Sequence, residues 1–184
     1  MKNRGVPSGW KGAIILAGLL TGGAALTNIG LNFRENKIFF PEKVAVSEVT
    51  DGDTFNIKWG LPVRLVGIDA PNRGEDRFAE AKKGLEKLIG GRTVWLEYDR
   101  YPADEKYVRV LAWVWLGCEG NPKFLPWNYM HKSNNESNPG LTENPEGCKK
   151  GKLAQEEMVK MRFALIEVYK DRGELKYEKK LLDN

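Results

Sequence analysis

The sequence predicts an α+β domain that is mainly β, and three observations point to it. Short runs of alternating apolar and polar residues recur between residues 44 and 116, separated by Gly and Pro turn signals. One stretch with helical spacing interrupts these runs, and two more follow after residue 150. The chain of 184 residues is 41% hydrophobic, which is enough to bury one core. One globular domain with additional segments is therefore expected.

The first three strands are predicted around two turns. The first strand ends at the turn Asp51-Gly52, and a hairpin with the turn Trp59-Gly60-Leu61-Pro62 supplies the second and third. Apolar side chains alternate with polar ones before the hairpin turn, and the pattern resumes after it. The apolar positions of the three strands are Val44, Val46, Val49, Phe55, Ile57, Trp59, Val63 and Leu65.

The elements that follow complete a closed sheet. A helix is predicted over residues 76–89 and stops at Gly90-Gly91; a fourth strand is predicted over 93–98 and a fifth over 107–116. Two further helices are predicted over 153–163 and 174–182. Five strands with a helix between the third and the fourth is the order of an OB-type barrel. We therefore predict a five-stranded OB-fold barrel with about three helices.

Net charge restricts the function only weakly. The formal charge is +4 and the pI is about 9.0. This mildly basic balance is compatible with a polyanionic partner but does not require one.

The first 31 residues differ from the rest of the chain. Lys2, Arg4 and Lys11 precede an uncharged apolar run over residues 12–31, and this hydrophobic segment indicates membrane targeting. The run approaches the length of a spanning helix, while Gly23-Ala24-Ala25 is typical of a signal-peptide cleavage site. Anchor and cleaved signal both remain open, and both place the main domain, 44–184, outside the cytoplasm after a linker at 32–43. A buried core helix of a cytosolic protein is the alternative.

A long insert lies between the two cysteines. Cys118 and Cys148 bracket residues 119–147, which are rich in Asn, Pro, Gly, Ser and Glu and show no apolar period. In an oxidising compartment a disulfide between them would close the base of this loop, so an insert is predicted over 118–151. A metal site that includes His131 is the alternative, although zinc normally takes four such ligands. His131 is expected to be a solvated loop residue rather than a catalytic base.

Two carboxylates and an arginine lie within or beside the predicted hairpin. Asp53 precedes it, Asp69 follows it, and Arg64 lies on the strand between them. Carboxylate oxygens ligate Ca²⁺ or Mg²⁺, and the guanidinium fork binds phosphate oxygens. Taken singly, such an Asp is ordinarily a turn cap and such an Arg a surface residue. Together the three indicate a site for a metal ion and a phosphate.

Three motifs carry a resemblance to a known family. They are Asp51-Gly52-Asp53-Thr54; Val63-Arg64-Leu65 with Gly67-Ile68-Asp69-Ala70-Pro71; and Lys106-Tyr107-Val108-Arg109-Val110-Leu111-Ala112. In composition, order and spacing they resemble the staphylococcal nuclease (thermonuclease) family, whose domain has an OB-fold. The resemblance extends over residues 44–182 and is interrupted by the insert.

The resemblance implies a site and a reaction. Ca²⁺ would be ligated by Asp53, Asp69, the backbone carbonyl of Ala70 and waters, while Arg64 and Arg109 would hold the scissile phosphate. Tyr107 and Tyr169 match aromatic positions near the nucleotide, which is consistent with stacking on an unpaired base; for Tyr169, packing at the edge of the core is the alternative. The implied enzyme is an exported monomer that hydrolyses DNA and RNA, preferably single-stranded, and leaves 3′-phosphate ends. It would contact a membrane only through an uncleaved N-terminal segment.

The sequence departs from the family at three positions. Asn72 stands where the family has a Glu that acts as general base, and an amide cannot accept a proton. Asn72 would still orient a water through its carbonyl oxygen, or Glu75 or Asp76 would replace the missing base if their loop folds back. Gln155 stands where an Asn is usual, and Arg162 where a Gly commonly follows the helix.

Two other functions remain open from sequence. A nucleic-acid or protein binding module would keep the barrel and lose turnover, with Asn72 as its mark. An insert that forms an interaction surface, displayed by the barrel, is the third interpretation. Trp113 and Trp115 are expected to pack against a helix or the insert rather than to contact bases.

Overall fold

The structure is a computed structural model, and it divides the chain into two compact units, residues 1–38 and 39–184. It describes residues 41–58, 60–104, 109–131, 137–167 and 174–183, together with two short strands, Leu31–Asn32 (β1) and Lys37–Ile38 (β2). In the first unit, β1 pairs antiparallel with β2. The predicted hydrophobic segment otherwise lies outside the described residues. Within the described residues, no helix has the length and apolar character needed to cross a membrane.

The described part of the second unit contains eight strands and three helices. The strands are Lys43–Val49 (β3), Thr54–Ile57 (β4), Pro62–Leu65 (β5), Ile68–Asp69 (β6), Thr93–Asp104 (β7), Arg109–Leu116 (β8), Lys152–Leu153 (β9) and Leu165–Ile166 (β10). The helices are Phe78–Ile89 (α1), Ala154–Lys160 (α2) and Glu178–Leu182 (α3).

Five of the strands close into a barrel, which confirms the predicted fold. Neighbours follow the order β5-β4-β3-β7-β8, and β5 also pairs with β8 in parallel, so that the sheet returns to its first strand. Closure leaves these strands without free edges across most of the sheet. The described apolar residues of the alternating pattern fill the interior, and Phe55, Val63 and Leu65 are completely buried; Trp59 lies outside the described residues.

Helix α1 packs one face against the core and lies beside β3 and α2. It begins at Phe78, two residues after the predicted start, because Arg77 at its N-cap has φ 66° and does not continue a right-handed helix. Its buried face includes Ala81, Leu85 and Ile89. The chain leaves the helix at Gly90, as the Gly90-Gly91 pair predicts.

The C-terminal helices are shorter than the sequence pattern predicts. Helix α2 ends at Lys160 and α3 begins only at Glu178. Between them β10 pairs antiparallel with β6, an interaction that the sequence pattern did not predict. Gln155 attaches α2 to the barrel: its Oε1 accepts from Val114 N–H (3.2 Å) and its Nε2 donates to Ala112 O (2.9 Å).

A buried polar network fixes the C-terminal segment to the barrel wall. Trp113 and Trp115 are fully buried and donate their indole N–H groups to Asp99 and Glu97, respectively. Both indoles contact the ring of Tyr177 edge-on, with centroid distances of 5.3 and 5.1 Å. These tryptophans therefore pack against the C-terminal segment that leads into α3.

The insert is closed at its base and contacts the C-terminal segment farther along. A disulfide joins Cys118 to Cys148 at its base, so neither sulfur is available as a metal ligand. Farther along, Lys176 donates its ammonium to Leu125 O (2.8 Å) and accepts, through its backbone carbonyl, from Leu141 N–H (2.6 Å). His131 is exposed at an isolated bridge to Ser137.

The disulfide is expected to contribute measurably to stability. It closes a loop with a sequence separation of 30 residues, and removal of such a constraint costs about 3.5 kcal/mol through the entropy of the unfolded chain. Urea unfolding of Cys118→Ala/Cys148→Ala should show this loss, and dithiothreitol should lower the stability of the unmodified protein but not of the variant. Equal unfolding midpoints for the two proteins would contradict the prediction.

Candidate active site

Asp53 is held beneath the barrel surface by the turn between β3 and β4. Its backbone N–H is bound by the side chain of Asp51 (3.2 Å), and its Oδ1 accepts from the hydroxyl of Thr54 (2.8 Å). A Cβ at Gly52 would lie 2.6 Å from that of Ala70 and 2.7 Å from that of Ala81. The motif therefore needs a glycine here, because the turn packs directly on both alanines.

The guanidinium of Arg64 bridges the two predicted metal ligands. Its Nη1 lies 2.6 Å from Oδ1 of Asp53, and its Nη2 lies 2.9 Å from Oδ1 of Asp69. Nη2 also donates to the carbonyl of Ile68 (3.3 Å). The structure thus brings together Asp53, Arg64 and Asp69, which are separated along the chain but adjacent around one side chain.

Glu167 adds a third carboxylate that sequence reasoning missed. Its Oε2 lies 3.7 Å from Nη2 of Arg64. The pairing of β10 with β6 places it there, because Leu165 pairs with Asp69 and the N–H of Glu167 donates to Gly67 O (3.0 Å). No local motif marks Glu167, so only a prediction of the β6–β10 pairing would have found it.

Burial and the neighbouring charges shift the pKa values of Asp53 and Arg64 in opposite directions. Burial raises the pKa of Asp53 to about 6, although Arg64 and the N–H of Ala70 act in the opposite direction. Burial alone would lower the pKa of Arg64, but its carboxylate neighbours, Asp53 first, raise it. Burial and the neighbouring guanidinium therefore act in opposite directions on the ionisation of Asp53.

Arg109 lies on the same face of the sheet as Arg64. The parallel register pairs Arg64 with Leu111, and Arg109 precedes Leu111 by two residues, so the alternation of side chains returns it to that face. Arg109 is half-buried at the start of β8 and pairs in register with Asp104 of β7.

The loop after Asp69 folds back on itself. The N–H of Asn72 donates to Oε2 of Glu75 (2.7 Å), and the N–H of Glu75 donates to the carbonyl of Asn72 (2.9 Å). The carboxylate of Glu75 therefore lies beside the backbone of Asn72, whose own side chain is an amide. Ala70 is buried and donates its N–H to Oδ2 of Asp53 (3.0 Å).

The predicted nucleotide contacts Tyr107 and Tyr169 lie outside the described residues.

The donor chemistry at Asp53 and Asp69 fits a hard cation. Both are oxygen donors held within the width of one guanidinium, and Asp69 is more than half exposed to solvent. Among the described residues, no group of three or more His, Cys, Asp or Glu side chains is arranged to hold a metal. A cation here would therefore depend on two carboxylates, completed by oxygens of the backbone and of water, as calcium sites commonly are.

Comparison with known proteins agrees with this geometry. Residues 62–183 match the family model described as "Staphylococcal nuclease homologue". The chain is 42% identical over 87 residues to a thermonuclease of Staphylococcus intermedius, a match that covers 42% of this chain and 51% of the relative. It is 33% identical over 87 residues to an uncharacterized protein of Bacillus anthracis, covering 42% of this chain and 40% of that protein. The chain thus spans about half the length, or less, of these curated relatives.

The family match covers more than half of the chain, including β5, Arg64, Asp69 and Arg109, and the closed barrel agrees with the fold that the motifs imply. The chain belongs to the family of staphylococcal nuclease homologues.

Proposed function

We propose that the protein is a Ca²⁺-dependent phosphodiesterase that hydrolyses DNA and RNA with little sequence preference and leaves 3′-phosphate ends. The observation that carries the proposal is the grouping of Asp53, Arg64 and Asp69, with contacts of 2.6 and 2.9 Å to one guanidinium. Family membership supports the chemistry, and the hydrophobic N-terminal segment supports export, either released or anchored in a membrane. The protein is expected to act as a monomer.

The arginines would stabilise the transition state. As water adds to phosphorus, negative charge grows on the non-bridging oxygens, and the forked guanidinium groups of Arg64 and Arg109 are suited to neutralise it. Arg64 must then exchange part of its present contact with the carboxylates for phosphate oxygens. The P–O5′ bond breaks, the 5′ oxygen gains a proton, and the phosphate remains on the 3′ oxygen.

A bound Ca²⁺ would supply further positive charge at the phosphate. Asp53 and Asp69 would hold it, together with the backbone carbonyl of Ala70 and waters. The substrate is expected to be single-stranded or frayed, because Tyr107 and Tyr169 would stack on unpaired bases without reading their edges.

Glu75 is the proposed acceptor of the proton from the attacking water. Its carboxylate lies 2.7 Å from the backbone nitrogen of Asn72, so the loop already returns an acidic group to that position. Replacement Glu75→Gln should lower turnover by about a hundredfold or more, the usual contribution of a general base. Steady-state cleavage of an oligonucleotide measures this effect.

A rescue experiment separates catalysis from loop structure. Asn72→Glu introduced into the Glu75→Gln background should restore much of the lost rate, since it places a carboxylate directly at position 72. Glu86→Gln, an exposed change on α1, is the matched control and should leave the rate unaltered. Full activity of Glu75→Gln alone would remove Glu75 from the mechanism.

The ends of the products test the reaction class. After digestion of DNA and of RNA, we expect new 5′-hydroxyl ends that polynucleotide kinase labels without prior phosphatase treatment. We also expect 3′ ends that a polymerase extends only after phosphatase treatment. Products with 5′-phosphates would contradict the proposed cleavage direction.

A binding module without turnover is the second candidate, and the side chain of Asn72 is the observation that favours it. Binding of single-stranded DNA without any cleavage, in any divalent cation, would favour this function. The retained pair Asp53 and Asp69 favours catalysis instead, because a binding-only module has no need of a cation site.

A further inference from the structure

A cavity of about 270 Å³ opens beside the proposed catalytic centre. Asp69 and Ala70 form part of its wall, so the cavity borders the proposed cation site. Two arginines also line it: Arg77 from the N-cap of α1 and Arg162 from the turn after α2. Neither arginine has a role in the chemistry described above.

Both arginines have an unusual backbone conformation. Arg77 has φ 66° and Arg162 has φ 59°, and they are the non-glycine residues with positive φ in the described part of the chain. Arg162 occupies the turn that ends α2, where its N–H donates to Val159 O and the N–H of Phe163 donates to Met158 O. Glycine is the usual residue in such a turn, because a Cβ disfavours the left-handed conformation. The turn geometry therefore does not explain why an arginine stands at either position.

Packing fixes the two arginines on one cavity. The ring of Phe163 lies so close to α1 that a Cβ at Gly84 would come within 2.7 Å of it. The guanidinium carbon of Arg77 lies 5.8 Å from the centroid of the same ring. The turn after α2, which includes Arg162, therefore packs directly against α1, and Arg77 is the N-cap of that helix.

The positive charge of these arginines is available to a ligand. Arg77 forms an ion pair of 3.1 Å with Glu80, but both side chains are more than half exposed, and such surface pairs contribute little. Arg162 is exposed, and no acidic group among the described residues lies within ion-pair distance of it. Asp69 and Glu75 line the same cavity, so an anion would bind on the arginine side and away from these carboxylates.

We propose that Arg77 and Arg162 form a second phosphate-binding subsite for the nucleic-acid strand, adjacent to the phosphate held by Arg64 and Arg109. This inference rests on the proposed function. Guanidinium groups bind phosphate oxygens in a forked, charge-assisted geometry. The cavity is close to the lower size limit of roughly 300 Å³ for small-molecule pockets, so it would hold one nucleotide unit. A strand that leaves the catalytic centre past Asp69 would enter it directly.

The test replaces both arginines by glycine, Arg77→Gly/Arg162→Gly, because glycine adopts the left-handed conformation freely and the fold should be kept. The probe is a fluorescein-labelled oligothymidylate of about 16 nucleotides. Its binding is measured by fluorescence anisotropy in chelator, across a salt series. The control Lys83→Ala/Lys87→Ala removes the same charge from exposed positions of α1.

The glycine variant should bind about tenfold more weakly, with a salt slope that is less steep by about 0.7 for each lost phosphate contact on a single strand. The lysine variant should stay within about twofold of the unmodified protein, since it loses long-range attraction only. If the two variants weaken binding equally, or if the unmodified protein does not bind the probe, the subsite is refuted.

Cleavage distinguishes failure of the subsite from failure of the proposed function. The dinucleotide TpT has one phosphate and cannot occupy both sites. The glycine variant should therefore cleave TpT with unchanged kinetics, while its KM for the long oligonucleotide rises about tenfold and kcat stays the same. If the unmodified protein cleaves nothing, the enzymatic proposal fails and the binding data alone still decide the subsite.

Discussion

Replacing Arg64 by alanine should lower the rate of oligonucleotide cleavage by about a hundredfold or more. Arg64 is the group that joins Asp53 to Asp69 and the one best placed to meet a phosphate at that cluster. Loss of a charged donor that acts in the transition state costs a few kcal/mol of activation free energy. The measurement is kcat on a labelled single-stranded oligonucleotide at saturating substrate. Arg109→Ala should have a similar effect, because the sheet register places it on the same face.

The control for this prediction must separate catalysis from folding. Arg64→Ala leaves the buried carboxylate of Asp53 without its ion-pair partner, so unfolding curves must show that the variant is folded under assay conditions. Arg92→Ala removes an exposed arginine from the turn before β7 and should retain full activity. A folded Arg64→Ala variant that cleaves within threefold of the unmodified rate would contradict the assignment.

Replacing Lys176 by methionine should lower the free energy of unfolding by about 3–5 kcal/mol, the usual cost of leaving one partner of a buried ion pair. The ammonium of Lys176 is completely buried, 3.2 Å from Oε1 of Glu97, and donates to Tyr98 O (2.6 Å) and Leu125 O (2.8 Å). Burial raises the pKa of Glu97, and Lys176 opposes that effect. Without the ammonium, Glu97 must either stay charged in the core or take up a proton.

A double variant tests this explanation. Lys176→Met/Glu97→Gln removes both charges and should be more stable than Lys176→Met alone, because no uncompensated charge remains in the core. Urea unfolding with unchanged m values gives the comparison. If the single variant loses less than about 1 kcal/mol, the pair contributes no more than an exposed one, and the account of this network is wrong.

The barrel could be predicted from sequence because its signals are local. Alternation in the strands, the turn at Asp51-Gly52 and the stop at Gly90-Gly91 each depend on a few neighbouring residues. Helix ends were less predictable. The helical spacing of the last predicted helix begins at residue 174, but the observed helix α3 begins at Glu178. The backbone before it is bound elsewhere, because the N–H of Lys176 donates to Asp99 (2.9 Å).

The site was predictable where a motif carries it and was not predictable elsewhere. Asp53, Arg64 and Asp69 lie within or beside one hairpin, so their spacing already suggested that they meet. Glu167 reaches Arg64 only through the pairing of two-residue strands that are about 100 residues apart along the chain, and so short a pairing leaves no periodic pattern.

The burial of Lys176 in the core could not be predicted from the sequence either. A lysine within a charged segment is ordinarily exposed, and lysine is almost never fully buried unless it is paired. Its ammonium contacts Glu97 and the carbonyl of Tyr98 on β7 and the carbonyl of Leu125 in the insert, and none of these partners can be inferred from the residues that flank it.

The cluster around Arg64 is proposed to be a calcium-dependent centre for phosphodiester cleavage. The most direct measurement is the rate at which the intact protein cleaves a labelled single-stranded DNA with Ca²⁺, with Mg²⁺ and with chelator, beside the variant Asp53→Ala. We expect cleavage that Ca²⁺ stimulates, that chelator stops and that Asp53→Ala abolishes. Cleavage that is indifferent to the chelator and to Asp53→Ala, or no cleavage by the unmodified protein, would contradict the account.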